Sequence, residues 1–400
     1  SGEGISVWRC QCPMSSHDFT DAFMAMVREV FGTSEFIPLH APRFEGQEKE
    51  LILETLESTF VSSVGMCVEQ FEEDIARYTG AQFAVAVSSG TAALHTALHA
   101  VGVVQHDEVI TTPLTFVAIC NAISYCGARP VFVDVDRDTL GLCPERLAEF
   151  LEQYGEVRAD GHCWNRSSGK IIRACVPVHN LGHPARAGKI VNVCERYNIA
   201  VIEDAAESLG SLAGQQHTGR VGLMGVLSFN GNKIITTGGG GALITDNAVL
   251  AKRLKHLTTT AKTPHPWLFQ HDEVGFNYRL PNLNAALGLA QMAQLAAFVA
   301  KKRNLAKYYS KWLDEWLQVR FFTEPAQARS NYWLNAILLP DRAARDEFLG
   351  RTNDCGIMTR PMWTPMHTLP MYQSCQRSNL DNAELIENTL VNIPSSAVSL

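Results

Sequence analysis

Charge is sparse in this chain and is never gathered into long runs of one sign. Charged residues make up 19% of its 400 positions, and the formal net charge is -7. There is no long basic run and no interleaving of aromatic with basic residues, which argues against a nucleic-acid partner. No window approaches the ~18 apolar residues of a membrane span, and the best run, Ala293 to Ala300, is much too short. The amino terminus lacks the basic start and apolar core of a secretion signal. No G-x-x-x-x-G-K-[ST] run is present, and no G-x-G-x-x-G opens a helix after the first strand, so the common nucleotide loops are missing. Nor is there a C-x-x-C pair to seed a zinc site, and no metal is expected. The eleven cysteines are scattered, odd in number and mostly set in apolar segments, as buried free thiols of a reducing cytosol would be. The close pair Cys10-Gln11-Cys12 falls in residues 1–13, which carry little pattern and read as a disordered leader.

What is present is an ordinary globular composition, 46% hydrophobic, with length enough for two domains. Asp18 to Phe31, Gly46 to Thr59 and Val68 to Tyr78 read as helices from their apolar spacing. A regular alternation follows. Strands are expected at Phe83–Val87, Glu108–Thr111, Pro130–Asp134, Ile171–Val178, Ile199–Glu203 and Ala242–Thr245. Helices are expected between and after them at Thr91–Val101, Phe116–Tyr125, Ala187–Tyr197 and Val249–Leu257. Such alternation predicts an α/β fold with a mostly parallel sheet between helices. From about residue 290 the pattern changes to a long helix, Gln291 to Trp316, then a strand over Tyr332–Leu339 and a helix over Arg342–Asn353. The expected division is 1–37 leader and short helix, 38–289 large domain, and 290–400 smaller C-terminal α+β domain.

Ligands of parallel sheets sit at the carboxyl ends of strands. Three polar clusters fall there: Ser88 to Thr91, Asp204 to Ser208, and Ser228 to Lys233. Lys233 follows the apolar run Gly225 to Phe229 and precedes Gly238 to Gly241, which leave room for a large ligand. That setting predicts a poorly solvated amine, the form a Schiff-base lysine needs. Gly90 and Thr91 would open a helix whose free amides suit a phosphate, although an ordinary helix cap has the same residues. Asp204 ends an apolar strand and could pair with a protonated ring nitrogen or cap the next segment. Phe116 lies beyond a strand end and either stacks on a flat ring or packs in the core. His179 also follows a strand end, as a functional or a structural histidine. Each feature is weak alone. Together, a phosphate cup with Ser228, an aromatic plate, an acid and a desolvated lysine meet the needs of pyridoxal 5'-phosphate (PLP).

The chain resembles the DegT/StrS group of fold-type I PLP sugar-nucleotide aminotransferases over roughly residues 36–396. The resemblance is carried by Ser89-Gly90-Thr91-Ala92-Ala93-Leu94, Thr115-Phe116, Pro177-Val178-His179, Glu203 to Ser208, Ser228 to Lys233 and Gly275-Phe276-Asn277-Tyr278-Arg279. In finer detail Phe36 to His40, Val61 to Gly65, Asn230 to Gly241 and Ser330 to Asn335 are similar to the LegC-like branch. The resemblance implies PLP held by Gly90, Thr91, Phe116, Asp204, Glu207, Ser228 and Lys233. It also implies a homodimer with shared active sites, in which Asn277 reaches the neighbour's cofactor phosphate and Arg279 pairs with phosphate or braces the dimer. Many relatives carry Gln where this chain has Glu207, and an apolar residue or Thr where it has Asn180. Asn180 and His179 are therefore candidates for the substrate side, as are Arg360, Trp363 and His367 for a nucleotide diphosphate sugar.

The implied reaction moves an amino group from an amino acid, L-glutamate first, to C4 of a UDP-linked 4-keto-6-deoxy sugar. Lys233 must be neutral to take a proton and protonated to return it. The product class would feed bacillosamine- or legionaminic-acid-like surface glycans in the cytoplasm. Related dehydratases replace the lysine by histidine, so Lys233 argues against that chemistry. A lyase on the same fold and a non-enzymatic nucleotide-binding regulator are the competing possibilities.

Overall fold

The computed structural model describes residues 16–62 and 65–400. Residues 1–15, Ser63 and Val64 lie outside the described residues, so the expectations placed on them are not addressed. Seven strands build the main sheet: β1 (Phe83–Val87), β2 (Glu108–Thr111), β3 (Arg129–Phe132), β4 (Ile171–Val176), β5 (Ala200–Asp204), β6 (Met224–Ser228) and β7 (Gly241–Thr245). Their order across the sheet is β1-β7-β6-β5-β4-β2-β3. All run parallel except β7, which is antiparallel to both β1 and β6. A short hairpin, Gly155–Val157 with Cys163–Asn165, extends the sheet from β4 and was not anticipated. Its strands are three residues each, too short to show a period.

The strands read as near-continuous apolar runs because helices cover both faces. Helices α1 to α8 are Ser16–Phe31, Glu48–Glu57, Met66–Thr79, Gly90–Ala100, Ala118–Tyr125, Pro144–Tyr154, Ala187–Glu195 and Ala248–Thr258. On one face α4 and α5 pack Leu94, Leu98, Ile119 and Ile123 against Val109, Val176, Ile202 and Val226. On the other, α6 and α7 pack Leu147, Leu151 and Ile190 against Ile110, Val131 and Val201.

The expected single helix over Gln291–Trp316 is two helices, α9 (Asn282–Met292) and α10 (Leu295–Leu313), broken at Ala293-Gln294. Within the run Asn282–Leu313 an 18-residue window reaches a mean hydropathy of 1.4, apolar and long enough to span a membrane, a correction to the expectation that no window comes close. Its apolar stripe is spent inside the protein instead. Ala285, Leu295 and Phe298 sit in the main core, and Leu305, Tyr309 and Leu313 in a second core.

That second core belongs to a small antiparallel sheet of β8 (Arg320–Phe321), β9 (Asn335–Leu338), β10 (Arg360–Pro361) and β11 (Leu390–Ile393), ordered β8-β9-β11-β10. Helix α1 packs here through Phe19 and Phe23, against Phe348 of α11 (Arg342–Asp354). Helix α1 is thus part of the core beneath this sheet. A strap from Ile37 to Ala41 then runs back along the carboxyl-terminal residues Ser395 and Ser396.

Candidate active site

Three strand ends bring the polar clusters together. β1 ends at Val87, and α4 starts at Gly90 with Ser89 as its cap, the Ser89 hydroxyl accepting the Ala92 amide at 3.0 Å. The amides of Gly90 and Thr91 are therefore first-turn donors without helical partners, beside the positive helix end. Gly90 rests on the end of β6. A Cβ there would stand 2.9 Å from Ser228 Cβ and 3.1 Å from its Oγ. Only glycine lets the helix start and Ser228 form one cup.

Lys233 lies in the turn after β6, its amide bonded to the Asn230 carbonyl at 2.9 Å. Its Nζ is 3.8 Å from Glu207 Oε1 and 4.1 Å from the ring centre of Trp333. Trp333 is pinned in turn, its indole N–H donating to the Asn232 carbonyl at 2.8 Å. Glu207 accepts the Leu181 amide at 2.7 Å on its other oxygen. Leu181 has φ of 58°, a left-handed conformation unusual for leucine, which marks a constrained turn at the site. Burial raises the Glu207 carboxyl above its ordinary range, with the Lys233 amine and the Leu181 amide opposing.

Asp204 ends β5, buried, and its Oδ1 accepts the Ala206 amide at 2.9 Å. Burial raises its carboxyl too, opposed first by that amide and then by Lys233. No second hydrogen bond among the described residues ties its other oxygen. A buried carboxyl with spare capacity favours a positively charged N–H partner. Phe116, beyond β2, is 53% exposed and meets Trp363 edge-on with ring centres 5.5 Å apart. An aromatic ring this bare is a platform rather than a core residue.

Other expected residues are placed differently. His179 is buried, its Nδ1 accepting the Ala185 amide at 3.0 Å and its Nε2 bonded to Glu203 at 2.8 Å. The proton is therefore on Nε2, and both nitrogens are committed internally. Glu203 also accepts the amides of Gly219, Val221 and Gly222. Burial would raise its carboxyl, but His179 and these amides hold it below the ordinary range. Asn180 is buried as well, and its amide donates to the carbonyls of Leu114 and Leu140 at 2.8 Å each. The Asn180 side-chain oxygen, by contrast with the two His179 nitrogens, is buried and has no hydrogen-bond partner among the described residues. Arg360 is exposed and tied to Asn353 and the Thr359 carbonyl. His367 lies beside Phe132, and burial lowers its pKa. Of that loop, Trp363 is the residue that reaches the platform.

Asn277 is exposed, with its side-chain carbonyl oxygen held by Arg279 at 3.0 Å. The segment lies along β1, where Arg279 pairs with Val87 and the Tyr278 carbonyl takes the Ser88 amide. Trp333, Glu203 and Leu181 were given no role from sequence. Glu203 had a signal, an acid inside an apolar strand. Leu181 had none, because nothing in a leucine announces a left-handed turn.

Residues 42–398 match the model of the DegT/DnrJ/EryC1/StrS aminotransferase family. The chain is 37% identical to the GDP-perosamine synthase of Escherichia coli O157:H7 over 338 residues, 84% of this chain and 87% of that one. It is also 37% identical over 336 residues, 84% of each chain, to EpsN of Bacillus subtilis, described as a candidate pyridoxal phosphate-dependent aminotransferase. Among solved structures, the aminotransferase TlmJ of Streptoalloteichus hindustanus superposes with a TM-score of 0.81 at 27% identity, covering 90% of this chain and 93% of that one. The cup, platform, acid and lysine fit PLP as the cofactor of such enzymes. The chain belongs to the DegT/DnrJ/EryC1/StrS family, as a PLP-dependent sugar aminotransferase.

Proposed function

We propose that the enzyme transfers the amino group of L-glutamate to C4 of a nucleotide-linked 4-keto-6-deoxy sugar, with Lys233 as the catalytic amine. The observation that carries this reading is the placement of Lys233 Nζ between the Glu207 carboxylate and the Trp333 ring, in the turn directly after Ser228. Gly90, Thr91 and Ser228 would hold the cofactor phosphate, Phe116 its ring face, and Asp204 its ring nitrogen. Bound there, PLP supplies an electron sink for the carbon that loses its proton. Lys233 takes that proton in the donor half-reaction and returns one to sugar C4 in the second. Glu207, 3.8 Å away, is close enough to steady the ammonium between the two transfers. Trp333 and Trp363 close the sides and limit water.

The site is built to be shared. Asn277 is exposed on its own chain and follows an arm with exposed Trp267, Phe269 and Val274. The proposed state is a homodimer in which Asn277 completes the neighbour's phosphate cup. Mixing Lys233→Ala and Asn277→Ala proteins tests it. Each alone is impaired, and the mixture regains activity only if sites are shared across subunits.

UDP is the proposed nucleotide, on the likeness of Asn230–Gly241 and Ser330–Asn335 to the LegC-like branch. A GDP-linked acceptor is the second reading, favoured by relatives named GDP-perosamine synthases. The product would enter surface-glycan synthesis. The proposed compartment is the cytoplasm, which suits nine free cysteines among the described residues. The deciding experiment supplies PLP, glutamate and a panel of UDP- and GDP-linked 4-keto-6-deoxy sugars, and follows 2-oxoglutarate and amino sugar by mass. Amino sugar from one nucleotide series settles the acceptor. No product from any pair would sink the assignment.

A further inference from the structure

His40 has no part in the cofactor site described above, yet it is held with care. The strap is anchored on either side of it: the Ser395 amide donates to the Leu39 carbonyl at 2.7 Å, and the Ala41 amide to the Ser396 hydroxyl at 2.8 Å. The backbone that carries the imidazole is therefore fixed on both sides. Its Nδ1 is buried and has no hydrogen-bond partner among the described residues. A buried polar atom left alone costs free energy unless a ligand or water meets it.

Ser395 ties the strap to the start of β9, and Leu39, next to His40, packs on the core that holds Ile234 and Trp333. The Ser395 hydroxyl accepts the Asn335 amide at 2.7 Å, two residues beyond Trp333, the ring beneath Lys233 Nζ. Its carbonyl accepts the buried Lys302 amine. Among the described residues, the charged groups that act on His40 are Lys302 and Lys233, two amines and no acid. Burial first, and these amines second, hold the imidazole pKa well below its usual value, so the ring is neutral. The result is a neutral hydrogen-bonding group in a field that is positive whenever either amine is charged.

An amino donor brings a carboxylate into this region. The carbon that gives its proton to Lys233 bears that carboxylate, so the two groups lie within a few bond lengths of each other. A carboxylate there needs a hydrogen-bond donor in positive surroundings. We propose that His40 binds the α-carboxylate of the amino donor through its unpartnered Nδ1. This inference rests on the reading of an amino-acid donor given above. When the anion arrives, its charge offsets the two amines, and the imidazole takes up a proton with the ligand.

The test uses the PLP-loaded, full-length enzyme and maleate, a dicarboxylate that carries no amine to transfer. Calorimetric titration in two buffers of different ionisation enthalpy reads affinity and proton uptake together. The unaltered enzyme is expected to bind maleate with net proton uptake. His40→Phe is expected to weaken binding by about tenfold to a hundredfold and to abolish the uptake. His40→Asn, which restores an N–H near the Nδ1 position, is expected to recover most of the affinity without the uptake. In turnover, His40→Phe should raise KM for the amino donor and leave KM for the sugar acceptor unchanged. Its Tm should not fall, because it removes an unpaired buried polar atom. Equal maleate affinity and uptake in the unaltered and His40→Phe enzymes would overturn the proposal. So would an unaltered enzyme that does not bind maleate, or a His40→Asn variant as weak as His40→Phe. Amino-sugar formation from glutamate is scored separately, so a failed carboxylate site and a failed aminotransferase reading are told apart.

Discussion

Two lysines of this enzyme stand in opposite settings. Lys302, on α10, has no exposed surface, and burial pulls its pKa down to about 7. Lys233 keeps 13% of its side chain exposed, beside a carboxylate and over an indole ring. The more desolvated amine is therefore not the one at the proposed cofactor site. Removal from water does not by itself mark a reactive lysine. What separates the two is company and access: a carboxylate, a ring and some exposed surface, against a single carbonyl in a closed core.

The largest expected effect breaks the contrast at its chemical end. Lys233→Ala is expected to cut turnover by about two to four orders of magnitude, the share usually carried by a positioned acid–base group. Single-turnover assays of each half-reaction check it, and near-normal rates would refute the role. Next is the buried base of the site. Glu203→Ala leaves His179 and three amides without their acceptor, and should cost about 3–5 kcal/mol of stability in denaturant titrations. Asp204→Asn should lower turnover by about a hundredfold, as loss of a preorganised charge does. It should also raise the Tm of cofactor-free protein at neutral pH. The sign follows from the raised carboxyl: the folded state holds its proton longer than the unfolded state. Stability therefore falls as pH climbs from the ordinary carboxyl value through the raised one, and the amide has no such slope. A Tm gap between loaded and free protein that did not shrink would argue against Asp204 as the cofactor's partner.

The smallest effect sharpens the other end. Lys302 is neutral in the folded state above about pH 7, whereas the unfolded chain stays charged to its ordinary value near ~10.4. The unfolded state binds the extra proton in that window, so stability rises with pH across it. Lys302→Met should flatten the rise and raise stability at neutral pH, while lowering turnover far less than Lys233→Ala. Unfolding curves taken at several pH values, from neutrality up to the ordinary lysine value, measure it.

Much of the candidate site was legible because its residues stand at strand ends, where an apolar run stops at a polar group. Asp204, Ser228 and Gly90 could be read that way. Lys302 could not, since Lys301-Lys302-Arg303 looks like a solvated charge run. Yet Phe298, Lys302, Leu305, Ala306 and Tyr309 fall on one buried stripe of α10, so its burial follows helical spacing rather than residue type. His179, bonded inside the protein through both nitrogens, was hard to place for a different reason. A strand end delivers some side chains to the ligand and others to the floor beneath it, and the chain alone does not say which. The break at Ala293-Gln294 was hidden because alanine and glutamine both favour helix.

The reversal of β7 has a consequence for how the enzyme is assembled. Parallel neighbours such as β4 and β5 meet only after a crossover helix has been laid down. β6 and β7 are joined by a short connection, Phe229 to Gly240, and pair antiparallel, Ser228 against Gly241. Contacts so near in sequence close early, because little loop entropy opposes them. The turn that carries Lys233 thus belongs to one of the most local pairings in the sheet. The lysine can stand in place before Asp204 and the start of α4, which belong to more distant stretches of the chain, have been brought to meet it.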